Sequence, residues 1–234
     1  MMTNYILLAG SIVAAIFLIL LMMQYLKRRK LHQLVWTVAI AFWFLATLFQ
    51  FLSSPDLVGG NAWLYKVFYV LSAPLVGLMG AGSLQLLAHK PWGKYFLIYV
   101  IAVSIAMIAL GLTATVDEDV LTSTDYEGFE MVAGGAMPQY VRNFSPLLTI
   151  PGGLFLIGGA FFSFWLDRTR KYNLIIALGG LFPLFGGALS RTGDTTLFSA
   201  FHVTGGVLLF VGFLLSMEYI KRMEEVKEEP EPSS

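Results

Sequence analysis

YILLAGSIVAAIFLILLMMQYLKRRK, residues 5–30, decides how the rest of the chain is read. From Tyr5 to Tyr25 the run carries no charged residue, and Lys27, Arg28, Arg29 and Lys30 close it. A helix needs about 20 apolar residues to cross a hydrocarbon core about 30 Å thick. A cleaved signal peptide places positive charge before its apolar run and small residues after it. Here the order is reversed, and no charged side chain precedes Tyr5. The stretch therefore reads as an uncleaved first span that enters from outside and stops at a basic cytoplasmic turn.

The remainder repeats that grammar. Of 234 residues, 57% are hydrophobic and 13% are charged, with a mean hydropathy of +0.72. A soluble domain carries about 25% charged residues, so most of this surface faces something other than water. Further apolar runs are expected at 34–52, 62–88, 95–112, 147–165, 173–190 and 197–220. Gly, Pro, Asn and Asp cluster in several of the breaks, as in Ser53-Ser54-Pro55-Asp56 and Gly59-Gly60-Asn61. The expectation is an all-α, seven-transmembrane helix bundle over residues 1–220, with a long external loop at 113–146. Residues 221–234 form a short charged cytoplasmic tail whose first half continues the last helix.

Direction follows from the cations. Of 15 Lys and Arg, 12 fall after the first, third, fifth and seventh runs. Only Lys66, Arg142 and Arg191 fall on the other side. The positive-inside rule then puts the N-terminus outside and the C-terminus in the cytoplasm of a multi-pass cell-membrane protein. The acidic residues divide almost evenly, so the bias belongs to Lys and Arg alone.

Small residues recur along helix faces, where membrane helices approach one another closely. They are Ala73, Gly77 and Ala81; then Gly152, Gly159 and Ser163; then Gly180 and Gly187, on a face that continues at the same spacing to Arg191. The runs 152–160 and 179–188 share a Gly-Gly-Leu-Phe…Gly-Gly-Ala pattern. Two glycine-packed helices is the plainer reading, and an inverted transporter repeat the sharper one. Pro74, Pro151 and Pro183 each remove a helix hydrogen bond, which bends a helix and can open a cavity.

Ionisable residues inside a membrane are the default functional hypothesis, and none falls near the middle of a proposed span. That argues against a proton pump, a voltage sensor or a carboxylate-coupled transporter. Without cysteine, thiolate metal sites and cysteine nucleophiles are excluded. The three histidines fall at opposite ends of the bundle, so no metal or haem set is expected. No hydrolase triad, phosphate loop or other catalytic motif is legible, and no cofactor or nucleic acid is implied. The exceptional polar residues gather at the outer ends: Gln50, Lys66, Arg142, Ser190, Arg191 and His202. With the acidic 113–146 loop above them, they make a candidate outer-mouth site for a small amphipathic or anionic ligand. The plainer alternative is that these cations pair with Asp56, Asp194 and the loop acids and hold the loop down. At the inner end, Glu218 with Arg222 and Lys221 with Glu225 are spaced as helix-surface ion pairs.

Several features together resemble the seven-helix N-terminal sensor region of bacterial histidine kinases and diguanylate cyclases. They are the outer N-terminus, the basic turn 27–30, Phe-Leu-Ser-Ser-Pro-Asp-Leu at 51–57, Leu-Tyr-Lys-Val-Phe-Tyr at 64–69, Pro74 and the long fourth loop. The resemblance covers about the first 150 residues and implies ligand sensing with signalling through the seventh helix. No kinase or cyclase sequence follows here. Seven helices with an outer N-terminus also match a microbial rhodopsin, but residues 197–220 hold no lysine for retinal. The functional expectation is a non-enzymatic sensor-like or small-molecule/lipid-binding module. It sits in the lipid bilayer, with a membrane or cytoplasmic protein as a further partner. A small permease or lipid transporter, and an assembly subunit of a membrane complex, are the alternatives.

Overall fold

The computed structural model describes residues 2–53, 57–58, 61–87, 90–122, 135–189 and 195–228. Every regular element among them is helical: α1 (Met2–Arg28), α2 (Leu31–Leu52), α3 (Ala62–Leu87), α4 (Lys90–Thr113), α5 (Glu118–Thr122), α6 (Gln139–Arg142), α7 (Phe144–Leu166), α8 (Tyr172–Leu189) and α9 (Thr195–Glu228). Six helices, α1 to α4, α7 and α9, are long and apolar enough to cross a membrane. A shorter apolar stretch, Tyr172–Pro183, lies in α8. The chain is a multi-pass membrane protein.

Helix α4 begins earlier than the sequence suggests. Pro91 and Gly93 read as a linker, yet both lie in the first turn of α4. A proline there has no intrahelical N–H bond to lose. Helix α9 runs to Glu228, so the basic part of the tail does extend the last helix. Both ends of the expected loop at 113–146 lie among the described residues. Asp117 Oδ1 accepts from the N–H groups of Asp119 and Val120 and caps α5. The Asp117 N–H donates to Ala136 O at 3.0 Å, which ties the two ends of the loop together. Val116, Leu121, Met137 and Val141 are buried there.

Helices α1, α2, α3, α7, α8 and α9 close a ring in that order, and α9 returns to pack on α1. Helix α4 lies outside the ring, against α3 and α7. Its Ile98, Ile101 and Ile105 are exposed, as a lipid-facing surface would be. Helix α3 is the most enclosed span.

Glycine lets the ring close. A Cβ on Gly152 of α7 would lie 2.5 Å from Val76 O and 2.8 Å from Gly77 Cα of α3. A Cβ on Gly179 of α8 would lie 2.9 Å from Gly205 O of α9. Lipid gives helices no hydrophobic reason to associate, so such backbone contacts carry much of the packing. The two-residue link between α1 and α2 also has a geometric demand. Arg29 sits at φ +47°, and its N–H donates to Tyr25 O at 2.7 Å. That is the left-handed turn that ends many helices, here made without glycine.

The middle of the ring is filled with rings. Phe17, fully buried, meets Phe210 and Phe213 at 5.2 and 5.1 Å. Trp43 crosses from α2 onto the backbone of α9 at Gly206. Below this layer, towards the turn 27–30, the ring opens.

Candidate functional site

A cavity of about 390 Å³ lies at the end of the bundle that carries the α1–α2 turn. All six ring helices contribute to it. Its outer edge carries Arg28 and Lys30, from the α1–α2 turn, and Arg170, from the α7–α8 turn. One turn deeper are Gln24, Gln33, Ser163, Asn173 and Ser216, each from a ring helix. Leu21, Trp36, Ile176, Leu209 and Phe213 form the apolar wall towards the aromatic layer. Trp36 owes its place to Gly82 of α3, because a Cβ there would collide with the indole. The indole therefore lies against α3 while also lining the cavity.

The polar groups differ in how they are satisfied. Asn173 Nδ2 donates to Ser163 Oγ at 2.9 Å, linking α8 to α7. Ser216 Oγ donates to Phe213 O within its own helix. Arg170 Nε is held 2.9 Å from Asp167 Oδ2. The Thr169 hydroxyl and N–H also donate to Asp167, and together with Arg170 they hold its carboxyl below the usual carboxylate range. Gln33 is the exception. It is 6% exposed, it lines the cavity, and its Oε1 has no hydrogen-bond partner among the described residues. A buried acceptor without a donor costs roughly 1–3 kcal/mol, so this carbonyl is a place where a ligand or a water would be held.

The sequence-based candidates lie at the other end. Gln50 is buried near the end of α2, and its backbone carbonyl accepts from Ser53 Oγ at 2.9 Å. Lys66 Nζ reaches Leu112 O at 3.4 Å and fastens α3 to the end of α4. Arg142 ends α6, its N–H donating to Pro138 O at 3.1 Å. The His202 ring stands edge-on to Trp43 at 6.5 Å. Ser190 and Arg191 fall outside the described residues, as do Asp56 and Asp194. None of the four described candidates lines this cavity. The expected pair of Glu218 with Arg222 is present, and Lys221 Nζ lies 3.6 Å from Glu225. Among the described residues no three metal-ligating side chains converge.

Reading residues one span at a time missed the cavity. In the sequence Arg28, Lys30 and Arg170 read as markers of direction, and the turn 27–30 also as part of the sensor-region resemblance. A comparison by depth would have found the signal: Gln24, Gln33, Ser163, Asn173 and Ser216 all lie about one turn inside the basic end. No protein-family model matches the chain, and no similar curated protein or solved structure was found.

Proposed function

We propose that the chain is a seven-span bundle of the cell membrane, N-terminus outside and C-terminus in the cytoplasm, that works as a non-enzymatic, sensor-like binding module for a small molecule or lipid. Helix α8 is the seventh span in this reading, and the cavity opens to the cytoplasm. The observation that carries it is the make-up of that cavity. A basic rim, a layer of amide and hydroxyl groups and an apolar wall converge from six helices, with the Gln33 carbonyl left for a donor. Concave, largely apolar sites with a few convergent polar groups are the usual form of small-molecule pockets. The lipid bilayer is the constant partner. A membrane or cytoplasmic protein that reads the ligand state would meet α9, which continues beyond the rim to Glu228.

Two observations favour binding over permeation. The aromatic layer of Phe17, Trp43 and Phe210 stands between the cavity and the outer ends of the helices. On α3, the Ser72 and Ser83 hydroxyls both donate to their own helix backbone, which turns them away from serving as a polar path. The outer residues Gln50, Lys66, Arg142 and His202 then anchor the external loop and the helix ends.

The test is native mass spectrometry of the gently extracted full chain beside Ser216→Trp, which fills the cavity. A small-molecule adduct retained by the parent and lost from the variant is the expected result. An adduct of the same mass and occupancy on both would refute binding in this cavity.

A further inference from the structure

Resting on that reading, we infer the chemical class of the ligand: a single-chain amphiphile with an anionic headgroup and a hydroxyl or N–H where head meets chain. Three features of the cavity select it in turn. The rim cations Lys30 and Arg170 come from two separate turns, and among the described residues no carboxylate side chain is part of the cavity lining. In the proposed topology they flank the cavity at the end of the spans, where Arg and Lys bind phosphate or carboxylate by charge-assisted hydrogen bonds. Asp167 engages one face of Arg170 and fixes it in place, while the guanidinium keeps further donors.

The wall beyond the rim is apolar and closed above by the aromatic layer, so it rejects a fully hydrated anion and accepts a hydrocarbon chain. At about 390 Å³ the space sits near the lower end of the usual range of about 300–1,000 Å³ for ligand pockets. That suits one chain and excludes a two-chain lipid lying wholly inside. Between rim and wall stands Gln33, its Oε1 buried and unpartnered among the described residues. A headgroup alone leaves that acceptor unsatisfied, and so does an unsubstituted alkyl chain. A hydroxyl or N–H at their junction satisfies it.

Lauroyl lysophosphatidic acid carries all three features and serves as the probe. Dodecyl phosphate lacks the hydroxyl, lauroyl lysophosphatidylcholine lacks the net charge, and glycerol 3-phosphate lacks the chain. Binding to the purified full chain is followed by native mass spectrometry and by titration of tryptophan fluorescence. One lysophosphatidic acid per chain is expected. Glycerol 3-phosphate should bind at least roughly 50-fold more weakly, the loss of three buried methylenes at about fourfold each. The choline lipid should bind about tenfold more weakly, and so should lysophosphatidic acid to Lys30→Gln or Arg170→Gln. Lys30→Arg should restore it, which separates lost charge from lost fold. Gln33→Leu should abolish the preference for lysophosphatidic acid over dodecyl phosphate.

Equal binding of the choline lipid, or no effect of Lys30→Gln and Arg170→Gln, would overturn the anionic headgroup. Equal binding of glycerol 3-phosphate would make the ligand a soluble anion and overturn the amphiphile. If none of these probes binds while the parent still retains an adduct that Ser216→Trp loses, the ligand class is wrong and the cavity reading stands. If the adduct ignores Ser216→Trp, both fall.

Discussion

The two neighbouring glycines of α7 offer a controlled test of what closes the ring. A methyl group on Gly152 would lie 2.5 Å from Val76 O and 2.8 Å from Gly77 Cα. Both obstacles are backbone, so neither can swing aside, and α3 and α7 must separate by about an ångström to reach ordinary contact distance. Forcing an extra methyl into a packed contact costs about 1–3 kcal/mol. Removing a helical glycine returns up to about 1 kcal/mol. With the full helix term returned, Gly152→Ala is thus expected to destabilise by up to about 2 kcal/mol net. At Gly153 a Cβ meets nothing within 4 Å, so Gly153→Ala keeps only the favourable helix term. Thermal unfolding of both variants in one detergent measures the difference, with Gly152→Ala below the parent and Gly153→Ala at or above it. Equal behaviour of the two variants would refute backbone contact as the basis of the α3–α7 interface.

Other consequences are local. Asn61 Oδ1 accepts from the N–H groups of Trp63 and Leu64 at 3.0 Å each, so Asn61→Ala should cost about 1 kcal/mol in a denaturant titration. Arg29 holds a left-handed turn, and Arg29→Gly should raise the melting temperature slightly while Arg29→Val lowers it. Glu218 and Arg222 are both more than half exposed, so Glu218→Gln should change stability by less than about 0.5 kcal/mol. Asp167 is held below the usual carboxylate range by Thr169 and Arg170. Its contribution is therefore present above the ordinary aspartate pKa and lost as pH falls through the lowered one. A pH series of melting temperatures should show that acid loss in the parent and less of it in Asp167→Asn.

Six of the seven expected spans were legible because each is a local property, about 20 apolar residues bounded by charge or by turn residues, while the run expected at 173–190 holds a shorter apolar stretch, Tyr172–Pro183. The ion pairs of α9 were legible for the same reason, since four residues of spacing fixes the geometry. The start of α4 was misread because Pro91 and Gly93 mark loops in most contexts, while a first helical turn tolerates them. The cavity is a different kind of object. Gln24, Gln33, Asn173 and Ser216 are unremarkable on their own helices. Their meaning comes from ring closure, which Gly152, Gly179 and Gly205 permit through contacts between distant parts of the chain. The contact of Trp36 with Gly82 likewise joins distant parts of the chain, and no local pattern carries it.

The chain has no cysteine, so a single introduced thiol reports one position cleanly. The measurement is labelling of Ser216→Cys by a membrane-impermeant maleimide, in intact cells and in inside-out vesicles. If the basic end is cytoplasmic, as proposed, a cavity open there should give modification in the vesicles and protection in the cells. Modification from the outside, or in neither preparation, would contradict an inward-facing cavity.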